Sequence, residues 1–257
     1  MAETMTRIIN KPAWVDLGTS DATAARAFYA KLFGWKIEVN EDPQYGGYAL
    51  ARIGGQDAAG IGPLMSPDQP TVWNVYIGTE DVAALATGVT AARGSVIAAP
   101  FDVGDQGRMA VFQDPSGAFI SAWQGTRMGG FQTEGPSAFG WAELNARGVD
   151  KAIPFYQTVF GWTPKSSGTP EQPYTEFSIE GGQSFAGATE MSPMVPAETP
   201  SYWLVYFTVS DVDASYRTAL DAGARELLSP IDFPGGRLAI VADPQGAAFG
   251  LMAMAGG

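Results

Sequence analysis

The sequence predicts an α+β protein made of two copies of one module joined head to tail. Three observations predict this fold class: matching residues recur at a nearly constant offset, each copy alternates helical with strand-like apolar spacing, and turns rich in Gly and Pro separate the strands. Such alternation favours mixed or antiparallel sheets that carry their helices on one face. The opposite face of each sheet is then expected to be concave.

The duplication is visible as ordered matches along the whole chain. Residues 14–17 match 141–144, and 28–35 match 155–162, at an offset of 127; residues 73–82 match 203–212 at an offset of 130. The closing segment 107–118 matches 236–247. A polar, glycine-bearing stretch separates the copies, which is typical of a linker. The predicted organisation is a first module at 9–125, a linker at 126–135 and a second module at 136–254.

Each copy begins with a short strand followed by a helix. Strands are predicted at 14–17 and 141–144. Apolar residues then recur at i, i+3, i+4, i+7 and i+8 over 25–33 and over 152–160, which marks one face of an α-helix. Ser20 or Asp21 is the expected N-cap of the first helix, and Pro154 is expected in the first turn of the second-module helix, where proline is tolerated.

Short strands, a second helix and two closing strands complete each module. Residues 48–51 and 177–179 have the composition of antiparallel strands. Residues 72–77 also have the composition of a strand, and with them the order of strand, helix and strands begins a second time. Helical spacing over 81–92 ends before Gly94. Strands at 109–113 and 118–123 are joined by Asp114-Pro115-Ser116-Gly117, a sequence typical of a tight turn.

Composition excludes several classes of function. The chain carries 15 Lys and Arg against 27 Asp and Glu, a net charge of -12, which disfavours nucleic-acid and membrane-surface partners. It has neither Cys nor His, which removes thiolate chemistry and the commonest metal ligand. No apolar run approaches the roughly 20 residues needed to cross a bilayer. A cytoplasmic protein, monomeric or homodimeric, is expected.

The motifs W-V-D-L-x-T-x-D-x-x-x-A-x-x-F-Y-x-x-L-F-G-W and G-R-x-A-V-x-x-D-P-x-G-A resemble those of the vicinal oxygen chelate superfamily, which includes glyoxalases, bleomycin-resistance proteins and dioxygenases. The resemblance is strongest to tandem-module actinobacterial proteins described as glyoxalase-like or hydroxylase-like. It implies that each module consists of paired βαβββ units whose strands curl into a cup-shaped mixed sheet with the helices outside.

The resemblance also implies where metal-using relatives would place their ligands. Those positions hold Trp14, Asn74 and Ser121 in the first module, and Trp141, Leu204 and Gly250 in the second. None of the six is a typical ligand, and a tight divalent site needs three or four converging donors. We therefore expect neither a metal nor another cofactor.

Four residues are candidates for catalysis. Asp16 and Glu143 lie two residues beyond the first ligand position and share its strand face, so either carboxylate could act as a general acid or base. Arg108 and Arg237 could orient an anionic or carbonyl oxygen. The structural alternative is ion pairing, of the carboxylates with these arginines, or of the arginines with Asp102 and Asp232.

A second set of residues could form aromatic and polar walls around a flat ligand. The alternative is that the aromatic members fill the core. The predicted ligand-binding residues are Trp14, Trp73, Asn74, Tyr76, Ser121, Trp123, Trp141, Trp203 and Tyr206.

The resulting hypothesis is metal-independent binding of a hydrophobic or aromatic small molecule, such as an antibiotic or natural-product intermediate, for sequestration or biosynthesis. The alternative is a glyoxalase-like or hydroxylase-like enzyme that uses carboxylate acid–base chemistry. A purely structural or signalling module is a third class. The two copies differ at three aligned positions: Asn74 is aligned with Leu204, Ser121 with Gly250 and Trp123 with Met252. The more polar site is therefore expected in the first module.

Overall fold

A computed structural model describes residues 8–126 and 130–255 of the chain, which form four successive βαβββ units, two in each module. The first module contains β1 (Pro12–Thr19), α1 (Ala22–Phe33), β2 (Lys36–Val39), β3 (Ala49–Ile53), β4 (Gln56–Pro63), β5 (Val72–Gly78), α2 (Val82–Ala91), β6 (Ser95–Val103), β7 (Gly107–Gln113) and β8 (Phe119–Gly125). The second contains β9 (Phe139–Ala146), α3 (Val149–Phe160), β10 (Thr163–Gly168), β11 (Pro173–Ser178), β12 (Ala186–Glu190), β13 (Tyr202–Thr208), α4 (Val212–Asp221), β14 (Arg225–Phe233), β15 (Gly236–Ala242) and β16 (Ala248–Met254).

Each module forms one eight-stranded sheet. The strand orders are β2-β3-β4-β1-β5-β8-β7-β6 and β10-β11-β12-β9-β13-β16-β15-β14. In both sheets the first strand of a βαβββ unit pairs in parallel with the last strand of that unit. The three strands that follow each helix pair antiparallel with one another in chain order. The sheets are therefore mixed, and the predicted α+β class is confirmed.

The helices begin and end where their sequence signals lie. The Asp21 carboxylate accepts hydrogen bonds from the backbone N–H groups of Thr23 and Ala24, so Asp21 rather than Ser20 caps α1. The N-terminus of α3 is instead bonded by the carboxylate of Glu190. Because α3 begins at Val149, Pro154 lies in its second turn, and the expectation of a first-turn proline is wrong. Within the described ranges, no helix is long and apolar enough to cross a membrane.

Contacts group the chain differently from the repeat. One compact unit consists largely of β5–β8 with β9–β12, and the other largely of β1–β4 with β13–β16. Each unit thus combines half of one module with half of the other. The strands of each sheet lie inside one of the predicted modules, 9–125 and 136–254, whereas each compact unit draws on both, and the module limits stay a prediction.

The compact unit that contains α1 has a buried hydrogen-bond network. The Tyr29 hydroxyl donates to Oδ2 of Asp243 at 3.0 Å and accepts from Nε1 of Trp73 at 2.9 Å. The other oxygen of Asp243 accepts the N–H groups of Gln245 and Ala247 within its turn. Burial, and then the Asp243 charge, raise the pKa of Tyr29, which therefore stays a neutral donor. This network ties α1 of the first module to a turn of the second.

The other unit repeats this network with the modules exchanged. The Tyr156 hydroxyl of α3 donates to Oδ2 of Asp114 at 2.8 Å and accepts from Nε1 of Trp203 at 2.8 Å. Oδ1 of Asp114 holds the N–H groups of Ser116 and Ala118. Hydrogen bonds to a charged acceptor contribute about 1.5–3 kcal/mol each, so the two networks are substantial determinants of stability.

Candidate functional site

The first candidate site is built around Asp16 on β1. Asp16 is half-buried and alternates with fully buried Val15 and Leu17, so its side chain points to the opposite face of the sheet. Its Oδ1 accepts the side-chain amide N–H of Asn74 at 2.9 Å, and its Oδ2 accepts the hydroxyl of Tyr48 at 3.2 Å. We call Asp16, Tyr48 and Asn74 the first cluster.

Glycine on β4 makes room for the tyrosine of this cluster. Gly60 is paired in register with Asp16, and a Cβ at Gly60 would collide with the Tyr48 hydroxyl. A Cβ at Gly62 would come within 2.8 Å of the Tyr48 ring. Arg26 of α1 donates to the carbonyl of Gly47, beside Tyr48. The side chain of Tyr48 therefore lies over Gly60 and Gly62 of β4, the strand that pairs with β1 beside Asp16.

The second candidate site is built around Glu143 on β9. Oε1 of Glu143 accepts the side-chain amide N–H of Asn145 at 3.1 Å. Tyr174 is hydrogen-bonded to Glu143, and its hydroxyl accepts Nε1–H of Trp141 at 2.9 Å. Burial, and then the Glu143 charge, raise the pKa values of Tyr174 and Tyr202. We call Trp141, Glu143, Asn145, Tyr174 and Tyr202 the second cluster; at neutral pH both tyrosines are neutral.

A second carboxylate shares the sheet face of Glu143. Gly187 pairs in register with Glu143 on one side and with Glu176 on the other, and a Cβ at Gly187 would collide with the Tyr174 hydroxyl. Oε2 of Glu176 accepts the Ser184 hydroxyl at 2.7 Å. In the first module the residue paired with Gly60 at this place is Leu50. The two sites thus share a tyrosine over a glycine, but the residue paired with that glycine is Leu50 in the first module and Glu176 in the second.

The expectation that the first module holds the more polar site stays a prediction. It compared Asn74 with Leu204, Ser121 with Gly250 and Trp123 with Met252, and Leu204 indeed offers no amide. The second module supplies an amide to its carboxylate from another place, Asn145 on the same strand, where the first module has Gly18. Position-by-position comparison missed this relocation.

Arg108 on β7 and Arg237 on β15 form ion pairs with side chains that are partly exposed to solvent. Nε of Arg108 lies 2.8 Å from Oδ1 of Asp102. Nε of Arg237 lies 2.7 Å from Oδ2 of Asp213, and its Nη1 lies 2.7 Å from Asp232. The hydrogen bonds that Arg237 donates to Asp213 and Asp232 raise the pKa of its guanidinium. These contacts correspond to the structural alternative for both arginines, and a catalytic role for them stays a prediction.

The predicted aromatic residues divide between the two faces of their strands. Trp73 and Trp203 pack edge-on against Tyr29 and Tyr156 of the helices, with ring centroids 5.2 and 5.3 Å apart, as core residues do. Their neighbours on the chain, Asn74 and Leu204, therefore point the other way.

Strand alternation places most of the remaining predicted residues on the carboxylate-bearing faces. Trp14 shares the face of Asp16, and Trp141 that of Glu143. Tyr76 shares the face of Asn74 and is paired with Ser121, as Tyr206 is with Gly250, which could not accept a Cβ without a collision with the Tyr206 ring. The residues on these faces are Trp14, Tyr76, Ser121, Trp123, Trp141 and Tyr206. Among these six, Trp141 is half-buried and the other five are buried.

Sequence reasoning missed Tyr48, Tyr174, Asn145 and Tyr202 as site residues. The equivalence of the two site tyrosines is hidden because they are 126 residues apart, whereas the surrounding repeat has an offset of 127. A search in both copies for Tyr near the start of the strand that pairs with a glycine-bearing strand would have found the two tyrosines.

The positions implied for metal ligands do not have the chemistry of a metal site. Leu204 and Gly250 have no donor atom, an indole such as that of Trp14 offers only N–H, and the Asn74 amide is bonded to Asp16. Across residues 8–126 and 130–255, no three acidic, His or Cys side chains gather in a group that could hold an ion. The donor set present does not fit a divalent metal.

Comparison with known proteins identifies the family of these modules. The model of the Glyoxalase/Bleomycin resistance protein/Dioxygenase superfamily matches residues 11–121 and 138–251. "Putative glyoxylase CFP32" of Mycobacterium tuberculosis is 37% identical over 255 residues, covering 94% of each chain. "Anthracycline biosynthesis protein DnrV" of Streptomyces peucetius is 37% identical over 256 residues, covering 94% of this chain and 92% of the relative.

Solved structures of more distant proteins share the fold. The Mn(II)-bound glyoxalase from Novosphingobium aromaticivorans has a TM-score of 0.67 at 17% identity, covering 95% of this chain and 82% of that one. The 2,2',3-trihydroxybiphenyl 1,2-dioxygenase from Sphingomonas wittichii strain RW1 has a TM-score of 0.66 at 15% identity, covering 95% and 90%.

Proposed function

Because the chain belongs to the Glyoxalase/Bleomycin resistance protein/Dioxygenase superfamily, we propose that it binds a hydroxylated aromatic small molecule against Asp16 without a resident metal ion. The observation that carries this proposal is the orientation of the Asp16 carboxylate by two neutral donors, Asn74 and Tyr48. A carboxylate held in this way is preorganised to accept a hydrogen bond from a ligand hydroxyl.

The geometry of the carboxylate suits this role. Asn74 donates to Oδ1 and Tyr48 to Oδ2 of Asp16, so each oxygen is oriented by a neutral donor. The half-buried ring of Tyr48 would contact an aromatic ring system of the ligand. A phenol or enol hydroxyl of that ligand would then donate to Asp16.

The similarity to DnrV supports an aromatic natural product as the ligand class. That relative is named for anthracycline biosynthesis, and anthracyclines are polycyclic aromatic compounds. The poor fit of the donor set to a divalent metal supports binding through the side chains themselves. Under this proposal the protein holds or delivers a biosynthetic intermediate or sequesters a product.

Isothermal titration calorimetry tests the proposal with 1,2-dihydroxyanthraquinone as the probe. EDTA-treated protein should bind the probe, and Asp16→Asn should weaken binding by about tenfold or more, because a charge-assisted hydrogen bond is lost. Glu80→Gln, which neutralises an exposed carboxylate, is the matched control and should bind like the wild type. Binding that appears only after Mn²⁺ is added, or that Asp16→Asn leaves intact, overturns the proposal.

Catalysis is the second candidate function. The observation that favours it is a carboxylate hydrogen-bonded to a tyrosine in both modules, Asp16 with Tyr48 and Glu143 with Tyr174. Either carboxylate could remove a proton adjacent to a carbonyl of a bound substrate, as acid–base catalysis in a glyoxalase-like reaction requires. Full turnover by the Asp16→Ala, Glu143→Ala double variant would exclude that role.

A further inference from the structure

The helix α2 and the edge strand β6 form an exposed surface that is nearly free of charge. Arg93 is the one charged residue from Val82 to Phe101. The equivalent stretch of the second module, 212–231, contains five charged residues, Asp213, Arg217, Asp221, Arg225 and Glu226. Small side chains cover the exposed side of the helix, at Ala83, Ala84, Thr87, Thr90 and Ala91. We call α2 together with residues 95–101 of β6 the α2 surface.

An open groove of about 630 Å³ lies between the helix and the strand of the α2 surface. It is lined by helix residues between Ala86 and Ala91 and by strand residues between Val96 and Pro100. In the second module Tyr216 stands at the position of Ala86, and its hydroxyl donates to the carboxylate of Glu226, which stands at the position of Val96. The second module therefore covers this place with its own side chain, whereas the first leaves it open to a group from another molecule.

We propose that two copies of the chain associate through the α2 surface, with their α2 helices antiparallel across a two-fold axis. A two-fold interface brings the same patch of both copies together, so the patch must be complementary to itself. Two copies that each carry a net charge of -12 repel one another, whereas a basic partner would be attracted to a charged face. A nearly uncharged surface therefore favours a second copy, and its small side chains allow the two helices to pack closely.

The charges at the two ends of α2 are complementary in this arrangement. Glu80 and Asp81 precede the helix and Arg93 follows it, and all three residues are exposed. Because the two helices run in opposite directions, Arg93 of each copy lies beside the acidic start of the other copy's helix. The second module has Gly223 at the position of Arg93, so α4 has no basic residue at that position.

The backbone at Arg93 supports a role for its side chain. Arg93 has a φ of 66°, in the left-handed region that favours glycine, and Gly223 has a φ of 96° at the equivalent position. Arginine at this position costs free energy of folding that glycine would not cost. Retention of a strained arginine is expected if its guanidinium stabilises the association of two copies.

Sedimentation velocity of the full-length chain at increasing concentration tests this proposal. The wild type should shift toward twice the mass of one chain. Thr87→Glu places two carboxylates near the two-fold axis, because Thr87 lies near the middle of α2, and should raise the dissociation constant of the dimer by about tenfold or more. Arg217→Glu, at the equivalent exposed position of α4, is the matched control. It changes the net charge by more than Thr87→Glu does and should leave association unchanged.

Arg93→Gly separates association from folding. It installs the second-module residue, so it should weaken the dimer several-fold, while thermal unfolding at a concentration where the protein is monomeric should show equal or higher stability. It also provides an independent test if Thr87→Glu does not fold. All three variants lie outside the first cluster and should bind 1,2-dihydroxyanthraquinone like the wild type, so the two proposals can fail separately. A wild type that stays monomeric at millimolar concentration, or a dimer that survives both Thr87→Glu and Arg93→Gly unchanged, overturns the proposal.

Discussion

The two sides of the strands have diverged to different extents since the module was duplicated. Toward the helices, both modules keep the same buried network, Tyr29 with Trp73 and Asp243, and Tyr156 with Trp203 and Asp114. Toward the opposite face, the carboxylate of the first cluster takes its amide from β5, whereas that of the second takes its amide from β9, and Tyr202 replaces Val72.

This difference follows from how the residues are connected. Each buried aspartate bonds a tyrosine of the other module and the N–H groups of its own turn, so a change in one partner leaves a buried polar group unsatisfied. A half-buried site residue can change without that penalty. The buried side therefore preserves the fold, and the site side is where the two modules acquired different chemistry.

The largest effects are expected from truncation of the buried aspartates. Asp114→Ala and Asp243→Ala should each lower the free energy of unfolding by about 3–5 kcal/mol, because each leaves a buried tyrosine hydroxyl and two turn N–H groups without their acceptor. Urea unfolding measures both. Equal losses would support an equivalent role in the two modules; a loss below about 1 kcal/mol in either would contradict it.

Alanine at the glycines beneath the site tyrosines should have a smaller effect. Gly60→Ala and Gly187→Ala each place a Cβ where a tyrosine hydroxyl now lies, and overpacking of this kind costs about 1–3 kcal/mol. Gly60→Ala should also weaken anthraquinone binding, because it displaces Tyr48 from Asp16. Gly88→Ala, in α2 with open space around it, is the control and should be neutral or slightly stabilising. Unchanged stability of both site variants, or normal anthraquinone binding by Gly60→Ala, would refute the assigned tyrosine positions.

The pH dependence of stability should reveal Asp243. Burial raises its pKa above the ordinary 3.8 despite opposing hydrogen bonds from its turn and Tyr29. The native state therefore binds a proton more tightly than the unfolded state, so the contribution of Asp243 to stability falls as pH rises from about 3.8 through the native pKa. Urea unfolding across this range should show the decrease in the wild type and a weaker decrease in Asp243→Asn. Parallel profiles would contradict the assignment.

The smallest effect is expected at Arg108. Its ion pair with Asp102 is exposed on β6 and β7, and such pairs contribute less than about 1 kcal/mol. Arg108→Ala should leave unfolding and anthraquinone binding nearly unchanged. A strong loss of anthraquinone binding would instead favour the anion-orienting role predicted from the sequence.

The sequence predicts those features that depend on local spacing. The apolar period over 25–33 predicts α1, Asp21 and Asp81 cap helices as their residue type favours, and Asp114-Pro115-Ser116-Gly117 forms the expected turn. Asp16 and Glu143 were identifiable because both copies place a carboxylate at the same strand position.

Features that depend on long-range pairing could not be predicted in this way. The bond of Tyr29 to Asp243 joins residues more than two hundred positions apart, and the place of Tyr48 over Gly60 depends on strand register. The amide of Asn145 replaces that of Asn74 from a different strand, which no comparison of aligned positions can detect. Such pairings are fixed by tertiary packing rather than by local sequence.

A crystal structure of EDTA-treated protein with 1,2-dihydroxyanthraquinone tests the central claim most directly. We expect a ligand hydroxyl within about 2.7 Å of an Asp16 carboxylate oxygen, with Tyr48 and Asn74 still bonded to that carboxylate and no metal ion between protein and ligand. A ligand held through a metal ion, or bound away from Asp16, would contradict the account.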